Sequence, residues 1–506
     1  MHSRAARLAA VLFALALLAA SCGSNDGTSS AEPDATNDAA EPAPAGPEAD
    51  DTTPVDSASA TTEPADVAVS FTTDVQPILE GSCVSCHVPG GPGAVHMELE
   101  TIADAAKDAA GIGLVTGTGY MPPWPASDLS IPFHDDRSLT DDQIATLAEW
   151  VADGAPLDAP DDTPLVAAAE IAPPLDADMV LTGPEPYQGS TDTLDDYRCQ
   201  IYDPELTEPQ WLKGAEFRPD QTTVVHHSVL FLARADARPA ADALNYQDGQ
   251  PGWQCYGLAG LDAFQMGGWA PGQAAREYPD GIGILMQPGD FFINQVHYHY
   301  EEDAPADNSG TAFAFASLED AEAAGGFREL TSHRYLTPAE IPCAEWEEGP
   351  LCDREASLEA AIEQFGPFAR TIANGLTAAC GYTPEDFAHM TDGTASSTCD
   401  KNITNPGQIV AVTGHMHEIG SAYRLTLNPD TPDERILLDI PNWSFEWQLV
   451  YGPTEDIVVT ADDVVRVECW WDRAKIDPDL EPRYVLWAEG TNDEMCYTAI
   501  STVPVE

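Results

Sequence analysis

The sequence predicts a mainly β protein built from antiparallel sandwiches, with a small all-α unit ahead of them. Three observations carry that expectation. Short β-rich runs recur at 223–233, 291–300, 311–317, 409–414, 421–427 and 464–471, separated by Gly and Pro turn signals. Between 71 and 156 the apolar residues fall instead at helical spacing. The 506 residues allow about three domains of ordinary size, so several cores can be buried.

Residues 1–22 read as a secretory signal, with Arg4 and Arg7 as the charged start, an apolar stretch at 8–18 and Ala19-Ala20-Ser21 as the small-residue cleavage site. Cys22 stands at the cut, where a bacterial lipoprotein carries its lipid. The chain is therefore expected to be exported to the bacterial cell envelope and held by that lipid alone. No later run reaches the roughly 20 apolar residues needed to span a bilayer. Residues 23–70 contain no aromatic residue, Lys or Arg and are rich in Ala, Pro, Thr, Ser, Asp and Glu. Such a segment cannot bury enough apolar surface to offset its chain entropy, and it reads as an acidic, flexible tether.

The 71–156 unit carries Cys83-Val84-Ser85-Cys86-His87, a CxxCH motif. That motif attaches haem c through two thioethers and supplies His87 as an axial ligand. Val75, Ile78 and Leu79 lie on one face of a first helix. Thr140 caps a later helix whose Ile144, Leu147 and Val151 face a core and which Gly154 ends. Between them, Tyr120-Met121-Pro122-Pro123-Trp124 resembles the Met-Pro-Pro segment of class I cytochromes c, which makes Met121 the expected sixth ligand. A Met/His pair suits electron transfer, because neither axial position stays open. Met97 is the rival, only ten residues beyond His87 and expected to be too near to cross the haem; His96 and His134 are weaker alternatives. A Pro- and Ala-rich linker with a strand or two, 157–187, follows.

With 21 basic and 85 acidic residues the formal charge is −64, which excludes nucleic acid and anionic membrane surfaces as partners. The bland explanation, a solvated exterior that keeps an exported protein soluble, covers most of that charge.

Six of the twelve histidines fall in three close pairs, His226/His227, His297/His299 and His415/His417, and Glu494-Met495-Cys496 lies near the C-terminus. Side chains at i and i+2 of a strand share a face, so HxH can present two imidazoles to one metal, whereas the neighbours in HH must leave the pleat to do so. Imidazole with a soft thioether favours copper. Each piece alone is ordinary strand or core; their joint occurrence is not.

The strings VVHHSVLF (224–231), NQVHYHY (294–300), GHMHEIG (414–420) and TNDEMCY (491–497) resemble, in order and spacing, the type II copper monooxygenases, the family of dopamine β-monooxygenase and peptidylglycine α-hydroxylating monooxygenase. The resemblance covers roughly 180–506. It implies two jelly-roll-like sandwiches side by side, whose boundary is placed near Leu318, at 188–318 and 319–506; a Cys-bearing insertion at about 343–402 lies outside the family pattern, and its Leu358, Ile362 and Phe365 at helical spacing predict a helix at 356–376. It further implies two copper ions, one held by His226, His227 and His297 for electron transfer and one by His415, His417 and Met495 for oxygen activation. His299 has no ligand counterpart, and Gln295 would orient a contact behind the first site. The implied reaction is hydroxylation of a C–H bond of a small organic substrate with O2, in which His415, His417 and Met495 are the catalytic residues and each site contributes one electron. An external donor, ascorbate-like or a redox protein, would feed the haem. Peptide-amidating members hold a carboxylate with an Arg and an Asn/Tyr pair where this chain has Thr413, Tyr497 and Ala499, so a peptidylglycine substrate is not expected. Trp443, Phe445, Trp447 and Tyr497 could wall an apolar pocket or simply be core. The alternative function is a non-catalytic copper and haem electron-transfer protein of the envelope.

With Cys22 assigned to lipid and Cys83 and Cys86 to haem, eight of eleven cysteines remain, an even number that suggests four disulfides in an exported chain. The resemblance implies Cys199–Cys255 and Cys469–Cys496, the latter bracing the Met495 loop. For Cys343, Cys352, Cys380 and Cys399 three pairings stay open, with the sequence-near ones favoured.

Overall fold

The computed structural model describes residues 69–505 except 90, 92, 95, 169–173, 194, 256–257, 270–274, 301–302, 489 and 491. The signal segment, Cys22 and the tether as far as Ala68 lie outside the described residues. No described helix is long and apolar enough to cross a membrane.

A helical turn, Phe71–Val75, leads into α1 (Gln76–Ser82), and α2 (Ile102–Lys107), α3 (Ala109–Gly117) and α4 (Asp141–Ala152) follow. Phe71, Val75, Ile78 and Leu79 pack with Ile102, Ile112, Leu147 and Trp150 in one apolar cluster. α4 begins at the expected cap: the Thr140 hydroxyl accepts from Gln143 N–H and the Gln143 side chain accepts from Thr140 N–H. Gly154 follows its end at φ +85°. Ile144 and Val151 are only half-buried; Trp150, its ring 5.4 Å from that of Phe71, fills the core instead.

Two segments behave differently from their composition. The first part of the expected linker folds back over the helices, burying Leu165 and bonding Leu165 N–H to Glu100 O at 2.9 Å and Ala168 N–H to Glu80 O at 2.8 Å. Backbone bonds of that kind leave no trace in side-chain pattern. After Met121, whose N–H still bonds Val115 O of α3 at 3.0 Å, the chain leaves the helices and packs on the second sandwich as far as His134. Ser127 N–H donates to Asp439 O at 2.8 Å and Ile131 N–H to Ile436 O at 3.2 Å, and Ile131 and Phe133 enter that sandwich's core.

In the first sandwich, β1 (Asp195–Tyr202), β2 (Val225–Ala233), β3 (Phe264–Trp269) and β4 (Phe291–His299) form an antiparallel sheet in the order β1, β4, β2, β3, with Trp253–Gln254 beside β1. It faces a sheet made of Met179–Thr182, Gly310–Ser317, Gln210–Arg218, Ile282–Met286 and Arg328–Glu329, with a short strand at 276–277 beside Gln210–Arg218. Phe292 and Phe313 stack across the interior with centroids 4.1 Å apart. Strands at 179–182 and 328–329 thus flank the expected span of 188–318.

In the second sandwich, β5 (Thr331–Leu336), β6 (Gly407–His415) and β9 (Tyr497–Val503) form one sheet in the order β5, β9, β6, while β7 (Gly420–Leu427) and β8 (Val464–Asp472) lie in the facing one. β8 shows the period of two that made it legible: Val465, Val467, Cys469 and Trp471 are buried. The expected helix at 356–376 is two helices, Arg354–Phe365 and Phe368–Ala379, because Gly366 adopts φ +85° and Pro367 cannot continue the first.

Four disulfides close: Cys199–Cys255, Cys343–Cys352, Cys380–Cys399 and Cys469–Cys496. Cys83 and Cys86 are the free cysteines among the described residues.

Candidate metal centres

His227 on β2 lies opposite His297 on β4. The pairing then passes to Tyr298 opposite Val225, which leaves His226 as the extra residue of a bulge. The bulge is how two adjacent histidines come to face one point. The Nδ1 atoms of His226 and His297 each lie 3.2 Å from Nδ1 of His227. Two metal–imidazole bonds of about 2.0 Å at about 106° to each other give that spacing, so the rings fit one ion as they stand. Their outer nitrogens fix the tautomer. His226 Nε2 donates to Glu446 Oε2 at 3.2 Å and His297 Nε2 to Asp195 Oδ1 at 2.9 Å, which turns both Nδ1 lone pairs inward. Tyr197 stacks on His297 at 4.2 Å. Burial, and then the neighbouring His297, hold His227 well below the usual histidine range, so it is neutral and able to ligate. His299 stands outside the cluster, its Nδ1 3.0 Å from Asp195. Gln295 points to the Cys255 carbonyl at 3.4 Å and so ties β4 to the disulfide rather than to a ligand.

The second group uses the opposite ring nitrogens. His415 ends β6 and His417 follows two residues on, with Met416 between them fully buried on the other face. His415 Nδ1 donates to Gln448 Oε1 and His417 Nδ1 to Asp493 O at 3.1 Å, which leaves each Nε2 free for a metal. The rings stand 5.1 Å apart at 86°. Glu494 joins this turn to Met495: its Oε2 accepts from His417 N–H at 2.9 Å and from Met495 N–H at 3.1 Å, and its Oε1 from Ile419 N–H at 2.9 Å. Burial pushes the Glu494 carboxyl up to about 8, opposed by those donors. Met495 is buried, and the Cys469–Cys496 bridge fastens its turn to β8.

Burial holds His415 down to about 3 and His417 to about 4. In the unfolded chain both titrate near 6.5, so below that pH the unfolded state binds more protons and metal-free stability falls with pH, from about 6.5 down through the folded values. Thermal melts of metal-free protein at pH 7 and pH 5 should show the loss, up to about 1.4 kcal/mol per histidine per pH unit. The His415→Gln/His417→Gln variant should flatten the slope; an unchanged slope would contradict the assignment.

One cleft of about 530 Å3 is lined by His226 and His227 from the first sandwich and by His415, Phe445, Gln448 and Tyr497 from the second, while His297, His417 and Met495 lie buried behind it. Of the four aromatics considered from sequence, Phe445 and Tyr497 line this cleft, Trp443 is core and Trp447 lies against Tyr120. Arg334 on β5 also lines it, in the cross-strand row Arg334, Ala499, Thr413. The row that lacks an arginine at Thr413 therefore receives one from two strands away. Arg334 donates to Gln265 Oε1 at 3.1 Å and has no ion pair with a carboxylate among the described residues.

In the helical unit, Cys83 and Cys86 sit on the turn after α1, and His87 Nδ1 donates to Met97 O at 2.8 Å, leaving Nε2 for an axial bond. The His87 ring lies flat against Gly93, where a Cβ would come within 2.7 Å of it. Burial, and then Cys86, push the Cys83 thiol up to about 12. Two free thiols and an oriented imidazole fit haem c. Met121 is half-buried at the end of α3, its N–H on Val115 O at 3.0 Å, where the chain turns toward the second sandwich. Met97 packs against the helical core.

Asp195, Glu446, Gln448, Asp493 and the clamp made by Glu494 had no signal in the sequence, since each works across a fold contact. No protein-family model and no curated protein matches the sequence. Among solved structures it is similar to allantoicase (9% identity, 57% of this chain and 81% of that one, TM-score 0.15), a Paenibacillus xanthan lyase (12%, 69% and 28%, 0.14) and a Bacillus subtilis oxalate decarboxylase variant (11%, 66% and 80%, 0.13). Those TM-scores carry no argument about fold or function.

Proposed function

We propose that the protein is an exported, lipid-anchored copper monooxygenase that hydroxylates a C–H bond of a small organic substrate and receives electrons through its own c-type haem. One observation carries the reading: two imidazole groups with opposite tautomers, on two different sandwiches, reach the same cleft through His226, His227 and His415. Overall, a C–H bond, O2, two electrons and two protons become C–OH and water. Copper, when bound, supplies the one-electron chemistry that O2 requires. The chain supplies the rest. Asp195 and Glu446 keep Nε2–H on His297 and His226 and so present Nδ1; Gln448 and the Asp493 carbonyl do the reverse for His415 and His417; Glu494 holds Met495 beside them.

The cleft is roomy enough for a small molecule, and Arg334 gives its wall one fixed positive charge. Substrates bearing a carboxylate or similar anion should therefore bind better than neutral analogues. Arg334→Gln should weaken such ligands by about 10- to 100-fold, in line with the roughly 1.5–3 kcal/mol of a charge-assisted hydrogen bond, and leave neutral ones unchanged. Equal affinity of both proteins for an anionic ligand would remove Arg334 from the site.

The reading as a whole is tested by elemental analysis and a pyridine haemochrome assay, which should give two coppers and one covalent haem per chain, followed by oxygen uptake with candidate substrates. Stoichiometric zinc after copper loading, or acid-extractable haem, contradicts it. Full loading with no substrate-dependent oxygen uptake favours the non-catalytic electron carrier.

A further inference from the structure

One segment of the second sandwich touches both histidine groups and meets the stretch of chain that carries Met121. Within the segment 443–451, the Phe445 ring lies 5.6 Å from that of His226, 6.5 Å from His227 and 6.0 Å from His417, so a single aromatic side chain stands between the two histidine groups. The next residue, Glu446, accepts from His226, and Gln448 accepts from His415. Trp447 turns the other way and meets Tyr120, ring centroids 5.7 Å apart, in the segment that leaves the helical unit beside Met121. Tyr451 completes the dock, packing on Trp124 at 5.3 Å and Phe133 at 4.9 Å.

The docking of 120–134 is extensive for a mere linker. Backbone bonds from Ser127, Ile131 and His134 reach Asp439, Ile436 and Gly452.

We infer that the segment 443–451 is the electron-coupling element of the protein: the Tyr120–Trp447 contact joins the haem unit to it, and the Phe445 ring joins the His226/His227/His297 group to the His415/His417/Met495 group. The inference rests on the copper and haem reading proposed above, and adds the path. Electron transfer falls off exponentially with the gap between sites, so a short chain of aromatic contacts that survives thermal motion sets the rate, and a tethered domain that is also docked keeps that gap fixed. Each step moves one electron, from the haem iron to one copper and then between coppers, so one centre is oxidised as the next is reduced and no further reactant is needed.

The test uses the full chain with copper and haem contents measured first. A chain that binds neither group sinks the underlying reading and this inference with it. With both loaded, fully oxidised protein is mixed anaerobically with less than one equivalent of a chemical reductant. Haem absorbance and the cupric EPR signal of freeze-quenched samples then follow the electron. Trp447→Leu and Tyr120→Leu should slow haem-to-copper transfer by more than about tenfold, whereas Trp447→Phe, which keeps a ring, should stay near the parent rate. Phe445→Leu should leave that first step intact and slow equilibration between the coppers by a similar factor. Parent-like rates in all the variants, with loading unchanged, overturn the inference. So does copper loss that accounts for the slowing, since it would make the segment a brace for the ligands and nothing more.

Discussion

Met495→Ala or His415→Ala should abolish the proposed hydroxylation while the His226/His227/His297 group still loads copper. The two groups are built on different sandwiches with separate disulfides and cores that meet only around Val503 and Val410, so loss of one ligand set does not unfold the other. His415 is half-buried and bonded to Gln448, and Met495 is buried and held by the Glu494 clamp, so neither has a nearby substitute. Partners behind a metal ligand are worth about 10- to 100-fold in activity, and loss of a ligand itself should exceed that. Elemental analysis of the variants should give one copper per chain in place of two, with oxygen uptake at background. Loss of both coppers together would point to one shared centre. Selective reduction of Cys469–Cys496, which fastens the Met495 turn, should weaken the same site and spare the other.

His87→Ala should stop the proposed turnover with a donor that acts through the haem, while copper loading persists. His87 is the oriented imidazole of the helical unit, its Nδ1 committed to Met97 O, and the Ala variant keeps Cys83 and Cys86 for covalent attachment. Oxygen consumption should fall by more than about tenfold with a donor that acts through the haem, and should recover when a small reductant is given directly to the copper unit. In the parent protein, stopped-flow mixing of the reduced form with oxygen and substrate should show haem oxidation within a turnover. A ferrous haem that persists through turnover, or a variant that hydroxylates equally fast with the same donor, would show that the haem passes its electrons elsewhere.

The alternation of Val465, Val467, Cys469 and Trp471 made β8 readable as a half-buried strand, and the Thr140/Gln143 pair made the start of α4 readable, because local patterns of this kind act within a few residues. HxH was legible for the same reason. The HH pair was not, since a regular strand sends its members to opposite faces and only pairing with β4 creates the bulge at His226. The break at Gly366-Pro367 was legible in principle, but the alanine-rich pattern on both sides outweighed it.

By itself the sequence determined the mainly β architecture, the candidate ligands and the even set of cysteines, all of which rest on residue type and short spacing. Tertiary structure alone decided which ring nitrogen each histidine presents, that Arg334 supplies the charge missing at Thr413, and that 120–134 docks on the segment between the two histidine groups. Those features join residues far apart in the chain. Their partners are set by strand pairing and sandwich packing, which no local pattern of side chains encodes.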